Sequence, residues 1–165
     1  MMSTIQPLDW PKIRKVVSDT QRTAMHCSVS TMTAAGYPTI SPIGTLFLDK
    51  DKPTGFFFDR YCTSLQQNLR HNPKACIQAI NSSRIFWLKC LIRGNFSSYP
   101  GVRLYAEIGA LRPATPAELA LVQHRIRPLA WTKGSQLIWS EFSQVRDIQV
   151  LGFKWVKYPQ MRPKP

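Results

Sequence analysis

The sequence predicts a mainly β fold: a small antiparallel barrel, closed or nearly so, with short helices at its rims. Three observations carry this. Residues 25–80 hold three short strand patterns separated by two turns, then a capped helix, then a fourth strand pattern. The helical patterns elsewhere are brief and bounded by start and stop signals. Further strand patterns follow to the end of the chain, and closing them into a barrel removes vulnerable edges.

Asp9-Trp10-Pro11 opens the first helix, with Asp9 as cap and Pro11 in the first turn. Trp10, Ile13, Val16 and Val17 then share one helical face to about Thr20. His26–Met32 reads as a half-buried strand, Ala35–Pro38 as a turn, and Thr39–Leu48 as a second strand. Asp49–Pro53 is a turn in which Asp is favoured for backbone reasons, and Gly55–Arg60 is the third strand. Thr63 or Ser64 caps a helix that Asn72-Pro73 stops, because Pro disfavours helical geometry in the residue before it. Lys74–Ile80 alternates as a strand. Arg84–Arg93 is ambiguous by period, and Ser82-Ser83 before it and Gly94-Asn95 after it decide for a short helix. Gly101–Leu111 returns to strand. Thr115-Pro116-Ala117-Glu118 is a capping box that opens a helix to about Arg127. Leu137–Trp139 and Val145–Lys157 are expected to supply two or three closing strands, and 161–165 a loose tail.

The 165 residues are read as a single domain, 1–165, long enough to bury a core without metal or disulfide staples. No apolar run reaches the roughly 18 residues of a membrane span, and no membrane partner is expected from the sequence. The opening residues lack a signal peptide's charged start and apolar stretch, and the four cysteines are dispersed, with Cys27, Cys76 and Cys90 in apolar patterns. Reduced thiols and a cytoplasmic address are expected.

Net charge is +13, and its distribution says more than its size. From Arg60 to Ala106 there is no acid, against seven arginines and lysines. That field suits a polyanion or a phosphorylated cofactor, and equally a plain solvated surface. Protein-only catalysis finds no support. His26, His71 and His124 fall in separate elements without metal-ligand spacing, and there is no Gly-rich phosphate loop or nucleophile elbow. In an enzyme of this kind a cofactor carries the reaction.

Two stretches stand out. Pro42 and Gly44 lie in one short strand window, which is costly unless a ligand or another backbone comes close, or a bulge turns a barrel corner. Asp59-Arg60 precedes hydroxyls at a helix start, where an anion is held if the two charges are not simply paired with each other.

The ordered set resembles the pyridoxamine-phosphate-oxidase-like FMN-binding split β-barrels. The carriers are Gly36-Tyr37-Pro38, Ser41-Pro42 followed by small residues, a strand ending in an aromatic and a polar pair, Asn68-Leu69-Arg70-His71-Asn72-Pro73, and Val102-Arg103-Leu104 before a capped helix. The resemblance covers roughly Ile13 to Leu111. It implies an antiparallel Greek-key barrel, a homodimer, and two FMN molecules in clefts at the subunit interface. By that resemblance the flavin ring lies along Ser41, Pro42, Ile43, Gly44 and Thr45. The phosphate sits near Asp59, Arg60, Tyr61, Thr63 and Ser64, and Arg103, Trp139 or Trp155 reaches in from the partner.

The departures bear on function. Where the family often has a basic pair after the helix-start serine, Leu65 follows Ser64, so phosphate affinity falls to Arg60 or to a basic residue elsewhere such as Lys89. Leu46 stands where the vitamin-metabolising oxidases have a substrate lysine, and their terminal Arg/His motif is absent from Val145–Pro165. The resemblance therefore implies a flavin-dependent oxidoreductase on a small organic substrate that is not a pyridoxamine-phosphate oxidase. The alternatives are a haem, flavin or deazaflavin carrier on the same fold, and a basic nucleic-acid-binding β domain.

Overall fold

The computed structural model describes residues 1–60, 63–139 and 141–161. Strands β1 (Cys27–Met32), β2 (Pro38–Ile43), β3 (Leu46–Leu48), β4 (Thr54–Phe58), β5 (Lys74–Ile80), β6 (Gly101–Pro113) and β7 (Gln144–Val156) form one sheet in the order β2-β1-β5-β6-β7-β4-β3. Every pairing is antiparallel. The helices are α1 (Asp9–Ala24), α2 (Thr63–His71), α3 (Arg84–Arg93), α4 (Pro116–Ile126) and α5 (Lys133–Trp139).

The strands at the two ends of the sheet, β2 and β3, are consecutive in the chain and joined only by Gly44-Thr45. A flat seven-stranded sheet would hold its outer strands about 29 Å apart. The three steps from Ile43 to Leu46 span at most about 11 Å. The sheet therefore curls until its ends meet, as a barrel with a seam, and α2 carries the chain across from β4 to β5. Inward-facing Val29, Ile43, Leu46, Phe57, Ile77, Leu104 and Ile148 fill the interior. Helix α1 plugs one side with Trp10, Ile13, Val16 and Val17, the face its spacing predicts, and the Trp10 indole donates to the Asp49 carbonyl at 3.0 Å. A second cluster of Phe58, Val122 and Val145, with Phe47, Phe56 and Phe142 against it, seats α4. Cys27 and Cys90 are buried free thiols and Cys76 is half-buried. Burial pushes the Cys27 thiol up to about 12.

Several expectations change. The second strand is broken at Gly44-Thr45, because the chain must pass there from one end of the sheet to the other. Leu137–Trp139 is the last turn of helix α5 rather than a strand: Thr132 caps it, accepting from the Ser135 amide at 3.2 Å. The closing segment is the single strand β7. Asp9 is the first residue of α1 rather than its cap, and its carboxylate accepts from the Gln6 amide. The capping box stands as expected, with both hydrogen bonds between Thr115 and Glu118 present.

Candidate functional site

Leaving β4, the chain places Asp59 inward and Arg60 outward. The buried Asp59 carboxylate accepts from Arg146 Nε at 2.5 Å and from Gln66 Nε2 at 3.1 Å. Arg146 in turn donates to the Gly109 carbonyl at 3.1 Å, so Asp59 is a compensated charge that ties β4 to β7 and α2. The Arg60 guanidinium donates to the main-chain carbonyl and the carboxylate of Glu141. Asp59 and Arg60 each have a partner far along the chain. Together with Gln66, Glu141, Phe142 and Ser143 they wall a cavity of about 250 Å³. Thr63 and Ser64 open α2 with exposed side chains and no acid in the first turn. Tyr61 lies outside the described residues.

The β2 segment alternates. Ser41 and Ile43 face the interior, while Ile40 and Pro42 face out. As the terminal strand, β2 pairs with β1 and turns its other edge away from the sheet. With this alternation the five side chains of 41–45 do not all face one ligand. Gly44 has a packing reason of its own, since a Cβ there would meet the Met25 carbonyl oxygen at 3.0 Å. Thr45 is buried, and its hydroxyl both accepts from the Phe58 amide at 3.2 Å and donates to the Phe58 carbonyl at 3.3 Å. This clamp brings the seam to the end of β4, two residues before Arg60. The Ser41–Thr45 stretch and Arg60 therefore share one end of the barrel.

Gly44 and Thr45 line a separate crevice of about 140 Å³ with Gln21, Met25, Ile126 and Arg125. Sequence reasoning passes over Arg125. Its guanidinium lies 3.6 Å from the centre of the Phe47 ring and donates to the carbonyls of Leu46 at 2.7 Å and Gly44 at 3.4 Å. The residue as a whole is exposed, yet packing around the charged end brings its pKa down to about 10, desolvation being the main cause. No local signal marks it, because its partners lie some eighty residues earlier in the chain.

Arg103 is exposed in the middle of the sheet, donating to Gln78 Oε1 at 3.0 Å, and lines neither cavity within this chain. Trp155 is stacked on Tyr99 at 4.4 Å. The Trp139 side chain is outside what is described, and Lys89 is exposed on α3. A cavity of about 800 Å³ lies elsewhere, between Phe47, Phe56, Ile108, Leu121 and Ile148, with Asp49, Glu107 and Asp147 among its walls. Its carboxylates oppose a phosphate there. Leu46 is fully buried, so its side chain meets no substrate.

No family model matches the chain, and no curated protein matches it by sequence. Solved structures match it by shape. An FMN-binding protein of Syntrophomonas wolfei subsp. wolfei superposes with a TM-score of 0.63 over 92% of this chain and 90% of its own, at 14% identity. A Clostridium acetobutylicum protein related to general stress protein 26 of B. subtilis, of the pyridoxine-phosphate oxidase family, gives 0.57 over 93% and 92%, at 12% identity. The haem storage protein HutZ of Vibrio cholerae gives 0.52 over 87% and 94%, also at 12%. The chain has the split-barrel fold that these proteins share.

Proposed function

We propose that this chain is an FMN-binding flavoprotein, a homodimer whose ring site runs along the outward edge of β2 and whose phosphate site is Arg60 with the first turn of α2. The observation that carries the reading is the Thr45–Phe58 clamp, which holds the Ser41–Thr45 stretch and Arg60 at one end of the barrel. The residues fit the group unevenly. Arg60, the exposed hydroxyls of Thr63 and Ser64 and an acid-free helix start suit a phosphate. Glu141 occupies the guanidinium and must give way when phosphate arrives. Bound FMN supplies hydride and electron transfer, with a nicotinamide donor and a small organic acceptor as its partners. The chain's own part is to position the ring and to hold it away from bulk water.

Purified protein titrated with FMN is expected to take it up at micromolar concentration, and the ligand released on denaturing natively purified protein is expected to have the mass of FMN. Release of haem or a deazaflavin instead would assign the fold to a carrier of that group. Reduction of the bound flavin by a nicotinamide donor, with turnover of an acceptor, separates an oxidoreductase from a passive carrier.

A further inference from the structure

Helix α3 has two unlike faces. Phe86, Trp87 and Cys90 point inward, where Phe86 and Trp87 pack on Phe96 and Tyr158 packs on Trp87 and Phe96. The Trp87 indole also donates to the Asn81 carbonyl, and Ser83 caps the helix by accepting from the Phe86 amide at 3.3 Å. The helix is thus fixed from within. Its outer side carries Ile85 (67% exposed), Leu88 (59%), Leu91 (61%) and Ile92 (77%). At 3.6 residues per turn these four fall inside an arc of about 120°. Arg84, Lys89 and Arg93, all exposed, supply the helix's charges, and every one is positive.

Four aliphatic side chains held in water on ten residues mark a surface with a partner. Three occupants compete. A second copy would set Lys89 and Arg93 against an equally basic helix. A polynucleotide would meet the charges but has no use for a strip of Leu and Ile, which neither stack on bases nor hydrogen-bond. An anionic lipid surface satisfies both halves: acyl chains receive the aliphatic strip while phosphates meet the flanking cations. The chain's net charge of +13 and its acid-free stretch from Arg60 to Ala106, in which α3 lies, favour the same partner. No helix among the described residues is long and apolar enough to cross a membrane, so the contact is superficial.

We infer that α3 docks this protein onto the surface of anionic membranes, its Ile85–Ile92 face entering the interface and Lys89 and Arg93 contacting lipid phosphates. The inference stands apart from flavin binding, since α3 contributes nothing to the crevices at Gly44 and Arg60. It is tested by sedimentation with vesicles of phosphatidylcholine alone and of phosphatidylcholine with one-third phosphatidylglycerol, at about 0.1 M salt where surface charge is only partly screened. The protein is expected to pellet with the anionic vesicles and weakly or not at all with the neutral ones. The pair L88S/I92S should lower partitioning at least tenfold, in line with the usual worth of buried aliphatic groups. K89E/R93E should lower it tenfold or more on anionic vesicles alone. These positions are exposed, and unchanged thermal melting confirms that the variants fold. Should a variant fail to fold, hydrogen exchange of the unaltered protein decides: amides of 85–93 should slow when anionic vesicles are added. No binding, partitioning of both variants as strong as that of the unaltered protein, unchanged exchange, dissociation of a dimer by L88S/I92S, or a loss of duplex DNA binding in place of vesicle binding would each overturn the inference.

Discussion

Arg60 and Glu141 hold each other across the turn after β4, so a phosphate reaching α2 competes with a carboxylate already in place. Two substitutions therefore have opposite signs. Arg60→Ala should weaken FMN binding by about 1.5–3 kcal/mol, the usual worth of a hydrogen bond to a charged group. Glu141→Gln should tighten it, because the Glu141 carboxylate then no longer competes with the phosphate for the guanidinium. An unchanged dissociation constant in both would move the phosphate elsewhere. Asp59 is a different case. Its carboxylate is fully buried against Arg146, so Arg146→Met leaves a buried charge without its cation. Such losses cost about 3–5 kcal/mol, readable as a lowered urea midpoint. The strand end and the helix start that flank Arg60 were legible. The partner of Arg60 eighty-one residues onward was not, and neither was Arg125, whose contacts are made only once the barrel is assembled.

Helix α4 shows what local signals can carry. Thr115 and Glu118 satisfy each other's backbone amides as the sequence predicts, and Thr115→Ala should cost about 1 kcal/mol in thermal unfolding. What the sequence hides is Arg112, which bridges Glu118 to Asp147 on β7 at 2.6 Å to each. The Arg112 guanidinium holds the Glu118 carboxyl down to about 2, below the value of about 4.5 expected in the unfolded chain. The folded state is therefore favoured above about pH 4.5, and this contribution is lost as pH falls toward 2. Melting temperatures from pH 6 to 2.5 should fall less steeply in Glu118→Gln than in the unaltered protein; parallel curves would remove Glu118 as a cause. Helix α5 marks the limit of periodicity. Leu137-Ile138-Trp139 has strand-like composition, but a capping threonine five residues earlier outweighs it. The break in the second strand was signalled in kind though not in partner: Gly44 marked a close backbone approach or a barrel corner, and the backbone that approaches is the Met25 carbonyl, which the sequence does not name.

At the scale of the whole molecule, the succession of strands, turns and capped helices was enough to give a β-barrel, because each strand signal is local and closure is the common way to dispose of edges. The cavities were not legible. The cavity of about 800 Å³ is assembled from β3, β4, β6 and β7, whose sequences lie up to a hundred residues apart. Pairing of two subunits belongs to this scale as well. Sedimentation equilibrium should give about twice the 18.9 kDa of one chain, and a mass of one chain at micromolar concentration would leave the proposed flavin cleft without its second wall.

The Gly44-Thr45 link acts as a drawstring. Because it is the shortest covalent path between the two outermost ribbons, slack introduced there loosens the entire hoop. Four glycines spliced between Gly44 and Thr45 should lower the melting temperature far more than the same four placed between Asp51 and Lys52, where the loop merely bulges into solvent.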